Sequence, residues 1–260
     1  MRFFGLLVKL FKAYFNYRRQ MKTIRSKGGY RAAMDNMIEA YRHGDYEGAI
    51  QASMGMDPYF HGSMLMQLGR FAEAQQWLEQ VIARQKEPKL LALANTTLGQ
   101  LFLQQQRYDE AQKLFETALA LWPDRASTHR DIAELWMRRD NPSEGLRWAS
   151  RAVDKERAGE GVTPETQKTN LCEELATLAW AVAATSHDRA EVDRLTAEAV
   201  AVAADNPVSS TAQIHFQIAQ AYSLLDDTAT SGRHFEEAAR FDPKGLWGCA
   251  AQAMAAGVRQ

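Results

Sequence analysis

The residue types that most often perform chemistry occur in this chain, but their spacing matches no common catalytic or metal-binding motif. There is no HExxH sequence, no histidine pair four positions apart, no glycine-rich phosphate loop and no GxSxG nucleophile elbow. The six histidines are scattered along the chain: His43, His61, His129, His187, His215 and His234. The sequence therefore predicts no metal ligand and no cofactor.

Neighbouring carboxylates are the remaining candidates for acid–base chemistry. Glu173 and Glu174 are adjacent, so on a helix they point to different sides and form a poor catalytic pair. Asp226 and Asp227 fall in a predicted turn between helices. We therefore predict that the protein has no catalytic residue and is not an enzyme.

The two cysteines, Cys172 and Cys249, are far apart in helix-like surroundings and form no CxxC motif. Two reduced thiols are favoured over a disulfide, although the sequence leaves both open. Reduced thiols would fit a reducing compartment.

Residues 30–260 have the composition of helices. β-branched residues are sparse, and Ala, Leu, Gln and Glu recur at helical spacing in segments of about 12–16 residues. Several such segments of similar length suggest an internal repeat.

The clearest repeating unit is residues 95–123, NTTLGQLFLQQQRYDEAQKLFETALALWP. The small residues Gly99 and Ala111 would let two antiparallel helices approach closely, while aromatic side chains fill the space around them. Pro123 would end the second helix, because proline cannot continue the hydrogen-bond ladder. The landmark positions are Leu98, Gly99, Phe102, Tyr108, Ala111, Phe115, Ala118 and Pro123.

This pattern resembles the tetratricopeptide repeat (TPR), except that Asn95 occupies the place of the leading tryptophan. Weaker copies of the frame occur at 43–81, 126–157 and 212–243, and a further helical pair at 171–207. The resemblance implies an all-α fold, a right-handed superhelix of five or six antiparallel helix pairs.

The predicted organisation has five parts. These are a basic amphipathic helix (1–27), repeats 1–4 (30–153), an enlarged polar loop (154–170), repeats 5–6 (171–243) and a C-terminal capping helix (244–260).

The resemblance also implies where a partner binds. In this family the first helix of each repeat lines a concave surface that commonly holds peptides or other proteins. The matching positions here are Thr96, Gln100, Gln104, Arg130, Glu134, Arg138, Gln213, Phe216 and Gln220. The clamp that some members use for a terminal carboxylate is not expected, because Tyr59, Ser63, Thr96 and Gln100 occupy its cationic positions. The alternative is an ordinary solvated surface with the partner bound elsewhere.

Six of the ten methionines lie between positions 34 and 66. They could form an adaptable contact surface, but packing between two irregular repeats is favoured. They are Met34, Met37, Met54, Met56, Met64 and Met66.

Residues 2–19, RFFGLLVKLFKAYFNYRR, differ from the rest of the chain. On a helix their apolar side chains fall within one arc of roughly 220°, and the polar residues other than Arg18 fill the remainder. Arg18 falls inside the arc, so the apolar face ends there. Two lysines interrupt the apolar run, which argues against a secretory signal. A spanning helix needs about 20 apolar residues, and this segment has fewer. The pattern predicts a helix that lies in the bilayer interface. The predicted membrane-binding residues are Phe3, Phe4, Leu7, Lys9, Leu10, Phe11, Lys12, Tyr14, Phe15, Arg18 and Arg19.

The charge distribution favours the same interpretation. The chain is 46% hydrophobic and 24% charged, which argues against disorder. Residues 1–31 carry nine basic residues and no acidic one, whereas the remainder has 22 basic and 32 acidic residues. A basic segment beside a membrane helix is suited to anionic lipids. A nucleic-acid arm would be basic on all sides, so no nucleic acid is expected.

These observations predict a non-enzymatic TPR adaptor that binds protein partners at the cytoplasmic face of a membrane as a peripheral protein. The first alternative is an accessory or assembly subunit of an integral membrane complex, with the N-terminal helix docked on protein. The same helix could instead pack against the repeats as an N-terminal cap. A less favoured alternative is an enzyme with its site on the solenoid. No small-molecule substrate is indicated.

Overall fold

The computed structural model describes residues 27–43, 45–54, 56, 58–159, 164–203 and 208–258. Within these ranges the chain forms thirteen α-helices and no strand. The helices are α1 Lys27–Arg42, α2 Tyr46–Ser53, α3 Pro58–Gln67, α4 Phe71–Arg84, α5 Pro88–Gln104, α6 Tyr108–Leu121, α7 Ala126–Arg138, α8 Pro142–Ala158, α9 Pro164–Ser186, α10 Arg189–Ala203, α11 Val208–Leu224, α12 Thr228–Phe241 and α13 Leu246–Val258.

Consecutive helices pack in six pairs, from α1 and α2 to α11 and α12, and α13 packs on the last pair. The first helices also contact one another in succession from α3 through α5, α7 and α9 to α11. They therefore form a continuous inner layer, with the second helices outside it. The predicted all-α helical solenoid is confirmed.

The same turn joins the two helices of most pairs. The first or second residue after the first helix has a left-handed backbone, with φ between 54° and 70°, at Gly69, Gln106, Asp140, His187 and Asp226. In four of these turns the next N–H donates to the carbonyl five residues earlier, for example Arg107 to Phe102 at 2.9 Å. This arrangement satisfies carbonyl groups that the helix end leaves free.

Small residues bring the paired helices together as the sequence predicted. A Cβ placed on Gly99 of α5 would lie 2.5 Å from the ring of Phe115 on α6, so only glycine fits there. Ala111 and Phe115 are fully buried. The methionines at positions 37, 56, 64 and 66 are buried in the same core, whereas Met54 is exposed. The methionine-rich region is therefore mainly core.

The polar segment 154–170 was expected to be an enlarged loop, and that expectation is wrong for most of its length. Helix α8 continues to Ala158 and α9 begins at Pro164, while residues 160–163 lie outside the described ranges. Gly159 ends α8 in a left-handed conformation (φ 66°). The polar side chains contact α8, since Gln167 Nε2 donates to the Glu156 carbonyl at 2.6 Å.

The first and last pairs meet. The Tyr46 hydroxyl at the start of α2 donates to Asp242 Oδ1 at 2.5 Å, just beyond α12. Asp242 Oδ1 also accepts from the Gly245 N–H at 3.1 Å. Residues separated by 196 positions are thus in contact, and the superhelix closes around its inner layer. Among the described helices, none combines the length and apolarity needed to cross a bilayer.

Candidate functional site

The inner layer surrounds a cavity of about 170 Å³. Helices α3, α5, α7, α9 and α11 all reach it, so five of the six pairs contribute to one site. It is lined almost entirely by hydroxyl, carboxamide, guanidinium and carboxylate groups. Such a lining suits hydrogen bonding to a polar ligand and offers little to an apolar one.

Hydroxyl and amide groups cover one side of the cavity. Thr96 Oγ1 lies 3.2 Å from Thr128 Oγ1, and Thr97 Oγ1 lies 3.5 Å from the Tyr59 hydroxyl. Gln67 Oε1 is buried and has no hydrogen-bond partner among the described residues. Because buried polar atoms are normally paired, this oxygen indicates where a bound group could donate a hydrogen bond.

Arg130 of α7 lies at the other side, with its side chain only 6% exposed. Its guanidinium donates to Asp131 Oδ1 at 3.2 and 3.1 Å and to Glu173 Oε2, and Nη1 lies 3.8 Å from Glu174 Oε1. One cation is therefore shared by three carboxyl groups from α7 and α9.

Burial changes the protonation of this cluster. It raises the pKa of Glu174 to about 8, with Arg130 opposing the shift and Glu173 and Glu156 adding to it. It also raises the pKa of Asp131, against the charge of Arg130. Burial alone would lower the pKa of Arg130, but Glu173, Asp131 and Glu174 hold that pKa well above its usual value. The guanidinium therefore stays charged, while burial favours the protonated form of Glu174.

A second cavity, of about 290 Å³, adjoins the first. Arg125, Arg130 and Glu173 line both. Trp122 and Glu156 form further parts of its wall. Burial raises the pKa of Glu156, partly offset by a hydrogen bond from Asn170. The two cavities are therefore parts of one polar site that meet at Arg130 and Glu173.

Four of the predicted binding residues line the first cavity: Thr96, Gln100, Arg130 and Gln213. The structure shows polar contacts among three others, because Arg138 Nη2 lies 2.7 Å from Glu134 Oε1 and donates to Gln104 Oε1 at 3.3 Å. Gln220 is partly exposed on α11. Partner binding by these residues remains a prediction.

Phe216 does not lie at an open surface. It is 6% exposed, and its ring centroid lies 5.6 Å from that of Phe235 and 5.4 Å from that of Trp247. The predicted position was wrong for this residue, because α13 packs on α11 and α12 and its Trp247 covers the ring.

Several lining residues were not predicted from the sequence, including Gln67, Thr97, Arg125 and Glu173. A usable signal was present in α3, where Tyr59, Ser63 and Gln67 recur every fourth position and form one polar stripe. No comparable signal marked Glu173, since its approach to Arg130 joins residues 43 positions apart.

The remaining candidates for chemistry stay separate in the structure. In the described part of the chain, no three His, Cys, Asp or Glu residues are grouped as metal ligands would be. Cys172 is buried and Cys249 is exposed, and the two are not joined in a disulfide. All of the predicted membrane-binding residues lie outside the described residues, as does the predicted amphipathic helix 1–27 except for Lys27, which begins α1.

Comparison with known proteins agrees with the geometry. Two tetratricopeptide repeat family models match the sequence, one over residues 58–124 and the other over 96–161. The chain belongs to the tetratricopeptide repeat proteins. No curated protein matches it significantly.

Solved structures of TPR proteins resemble it at low sequence identity. A thermophilic TPR protein from Thermus thermophilus, TTC0263, is 17% identical with a TM-score of 0.53, over 77% of this chain and 96% of that chain. PilW, a type IV pilus biogenesis factor, is 15% identical with a TM-score of 0.49, over 69% and 74% of the two chains. BtubC from P. vanneervenii is 14% identical with a TM-score of 0.48, over 86% and 90%.

TPR proteins are generally non-catalytic scaffolds, and the fold supports a role in protein–protein interaction. The inner cavity is a polar surface to which five helix pairs contribute. It is therefore the candidate binding site.

Proposed function

We propose that this protein is a non-enzymatic adaptor that binds an extended segment of a partner protein in its inner cavity. The observation that carries the proposal is the convergence of five helix pairs on one polar cavity. A surface assembled from so many repeats is typical of recognition, since no single pair could present it.

The size and chemistry of the cavity favour an extended chain. A helix with its side chains is about 10–12 Å wide, which is more than a cavity of about 170 Å³ admits. Carboxamides and hydroxyls both donate and accept, so they match the N–H and C=O groups of an extended backbone. Gln67 Oε1, which has no partner among the described residues, would accept one such N–H.

Site-specific photocrosslinking in cells tests this proposal. A photoreactive amino acid replaces Ser63, which lines the cavity, and in a matched control replaces Ala120, which is exposed on the outer helix α6. We expect one partner segment to be crosslinked from position 63 and no crosslink to that segment from position 120. Crosslinks at Ala120 alone would overturn the proposal and favour an outer binding surface.

We also propose that residues 2–19 hold the adaptor at the cytoplasmic face of a membrane. The apolar arc and the basic residues that follow it support this proposal. Several half-buried apolar side chains contribute about 1 kcal/mol each, and each nearby cation adds about 1 kcal/mol on an anionic surface. Together they are sufficient for a peripheral anchor.

Flotation with phosphatidylserine-containing vesicles tests the anchor. We expect the full chain to float and the Leu7→Glu/Phe11→Glu variant to remain in the soluble fraction. The control, Val200→Glu/Met254→Glu, adds the same charge at exposed apolar residues of the repeats and should still float. Flotation of all three proteins would overturn the anchor. If the wild type floats only with native membranes, the accessory-subunit alternative is favoured instead.

A further inference from the structure

We infer that the bound partner segment places a lysine or arginine side chain against Glu173, where the two cavities meet. This inference rests on the proposed function and deepens it, because it names the partner chemistry of the same site. Glu173 is the accessible carboxylate of the cluster, with its side chain 16% exposed. It lines both cavities.

Carboxyl groups outnumber cations around this point. Glu156, Glu173, Glu174 and Asp131 all act on Arg130 or on one another, and Arg125 is a second cation near them. Lys155 and Asp124 also line the second cavity, but they form an ion pair with each other and leave the balance of charge unchanged. Even when Glu174 is counted as neutral, Asp131, Glu156 and Glu173 outnumber the two guanidinium groups. The site therefore has an excess of negative charge, which a cation would balance.

Buried polar atoms without a hydrogen-bond partner near this point also favour a ligand that donates hydrogen bonds. Asp131 Oδ2 and both carboxyl oxygens of Glu174 are buried without hydrogen-bond partners among the described residues, as is Gln67 Oε1. Gln67 Oε1 and Asp131 Oδ2 are acceptors, whereas a protonated Glu174 carboxyl can both donate and accept. Of these residues only Gln67 lines a cavity. Its Oε1 can accept from a lysine ammonium, which carries three donors, or from an arginine guanidinium, which carries five.

A small rearrangement would let the buried carboxyl share in binding. Arg130 Nη1 donates to Glu173 and lies only 3.8 Å from Glu174 Oε1. A ligand cation that takes over Glu173 would leave Nη1 free to move to Glu174, which is fully buried. Trp122 in the adjoining cavity offers an apolar wall for the methylene groups of the entering side chain.

Blocked pentapeptides titrated into the full chain and followed by NMR test the inference. The probes are Gly-Gly-Xaa-Gly-Gly peptides with lysine, arginine, norleucine or glutamate at the centre. We expect the lysine and arginine peptides to bind at least about tenfold more tightly than the norleucine peptide, and the glutamate peptide to bind most weakly. Glu173→Gln should remove most of this difference. The control Glu116→Gln, at an exposed site on α6, should leave it unchanged.

A second variant is needed because Glu173→Gln also removes a partner of Arg130 and could disturb folding. Glu156→Gln lies in the same site and should also reduce the preference for lysine over norleucine. Equal binding of the lysine and norleucine peptides would overturn the inference and leave the proposed function intact. Binding of no peptide would also overturn it, and the proposed function would then rest on the Ser63 crosslinks.

Discussion

The contact between Gly99 and Phe115 is a residue-scale feature that the sequence indicated and the structure confirms. The small residue was predicted from its place in the repeat, and the distance of 2.5 Å from an added Cβ to the ring shows why it must be small. Prediction at this scale succeeded because the two residues belong to one helix pair and are only 16 positions apart.

We expect Gly99→Ala to lower the free energy of unfolding by about 1–3 kcal/mol, because Phe115 must move to admit the methyl group. In the matched change Gly232→Ala, in α12, the added Cβ has no atom within 4 Å. This change should raise the free energy of unfolding by about 0.5–1 kcal/mol. Urea denaturation of both variants measures the difference. A similar change in both would contradict the packing argument.

His215 and His234 should make the protein sensitive to acid. Their Nδ1 atoms are 2.8 Å apart. Burial is the main cause of the lowered pKa of His215. Burial is also the main reason that the pKa of His234 is lowered to about 4. An unfolded histidine titrates near 6.5, so between about pH 6.5 and 4 the unfolded chain binds more protons than the folded one. Stability should therefore fall as the pH is lowered through this range.

Thermal unfolding of His234→Phe at pH 7 and pH 4.5 measures this contribution. The loss of Tm between the two pH values should be smaller than in the wild type, because one titrating group is gone. The control His187→Asn, at an exposed turn with a left-handed backbone, should keep the wild-type loss. Carboxyl groups such as Glu174 contribute equally to the pH dependence of Tm in all three proteins, so their contributions cancel. An identical pH dependence in all three proteins would argue against the histidine pair.

At the scale of elements, the recurring turn between paired helices carries a backbone cost at four of its five left-handed positions. Gln106, Asp140, His187 and Asp226 have positive φ without being glycine. Non-glycine residues are disfavoured there by roughly 1 kcal/mol. These turns persist because the packing of both helices determines their geometry.

We expect Gln106→Gly to stabilise the protein by about 0.5–1 kcal/mol, since it relieves the left-handed strain. Gly69→Ala should destabilise it by about 1 kcal/mol for the converse reason. Gln105→Gly is the control, because φ at that position is −85° and there is no strain to relieve. Denaturant titration of the three variants ranks them, and stabilisation by Gln105→Gly would refute the explanation.

The segment 154–170 shows where local composition misleads. Its glycines and polar residues resemble a loop, yet α8 and α9 together cover 154–158 and 164–170. Gln167 and Asn170 bond to the main chain and carboxylate of Glu156, so contacts between two helices stabilise a polar helix start. Such contacts are tertiary and leave no periodic pattern in the sequence.

At the scale of the whole molecule, closure joins pairs at the two ends of the superhelix. The Tyr46 hydroxyl donates to the fully buried Asp242. Burial, reinforced by this bond, raises the pKa of Tyr46 well above its usual range. Burial also raises the pKa of Asp242. The closed form keeps the inner helices around a common cavity.

Tyr46→Phe should loosen this closure, because Asp242 loses a hydrogen bond while it stays buried. We expect a loss of about 1–3 kcal/mol in stability and faster amide exchange in α1 and α2, with exchange in α5 and α6 unchanged. The control Tyr108→Phe, in α6, should leave α1 and α2 as protected as in the wild type. Unchanged exchange in Tyr46→Phe would show that closure does not depend on this bond.

The sequence by itself determined the helices, their pairing and the small and aromatic residues of the best repeat. These features depend on spacings of three, four or about 34 residues, which a single chain displays directly. Only the tertiary structure decided which polar residues meet in the inner cavity, that Phe216 is covered by Trp247, and that Tyr46 reaches Asp242. Each depends on the curvature of the superhelix, which sums small rotations over all pairs and has no local pattern in the sequence.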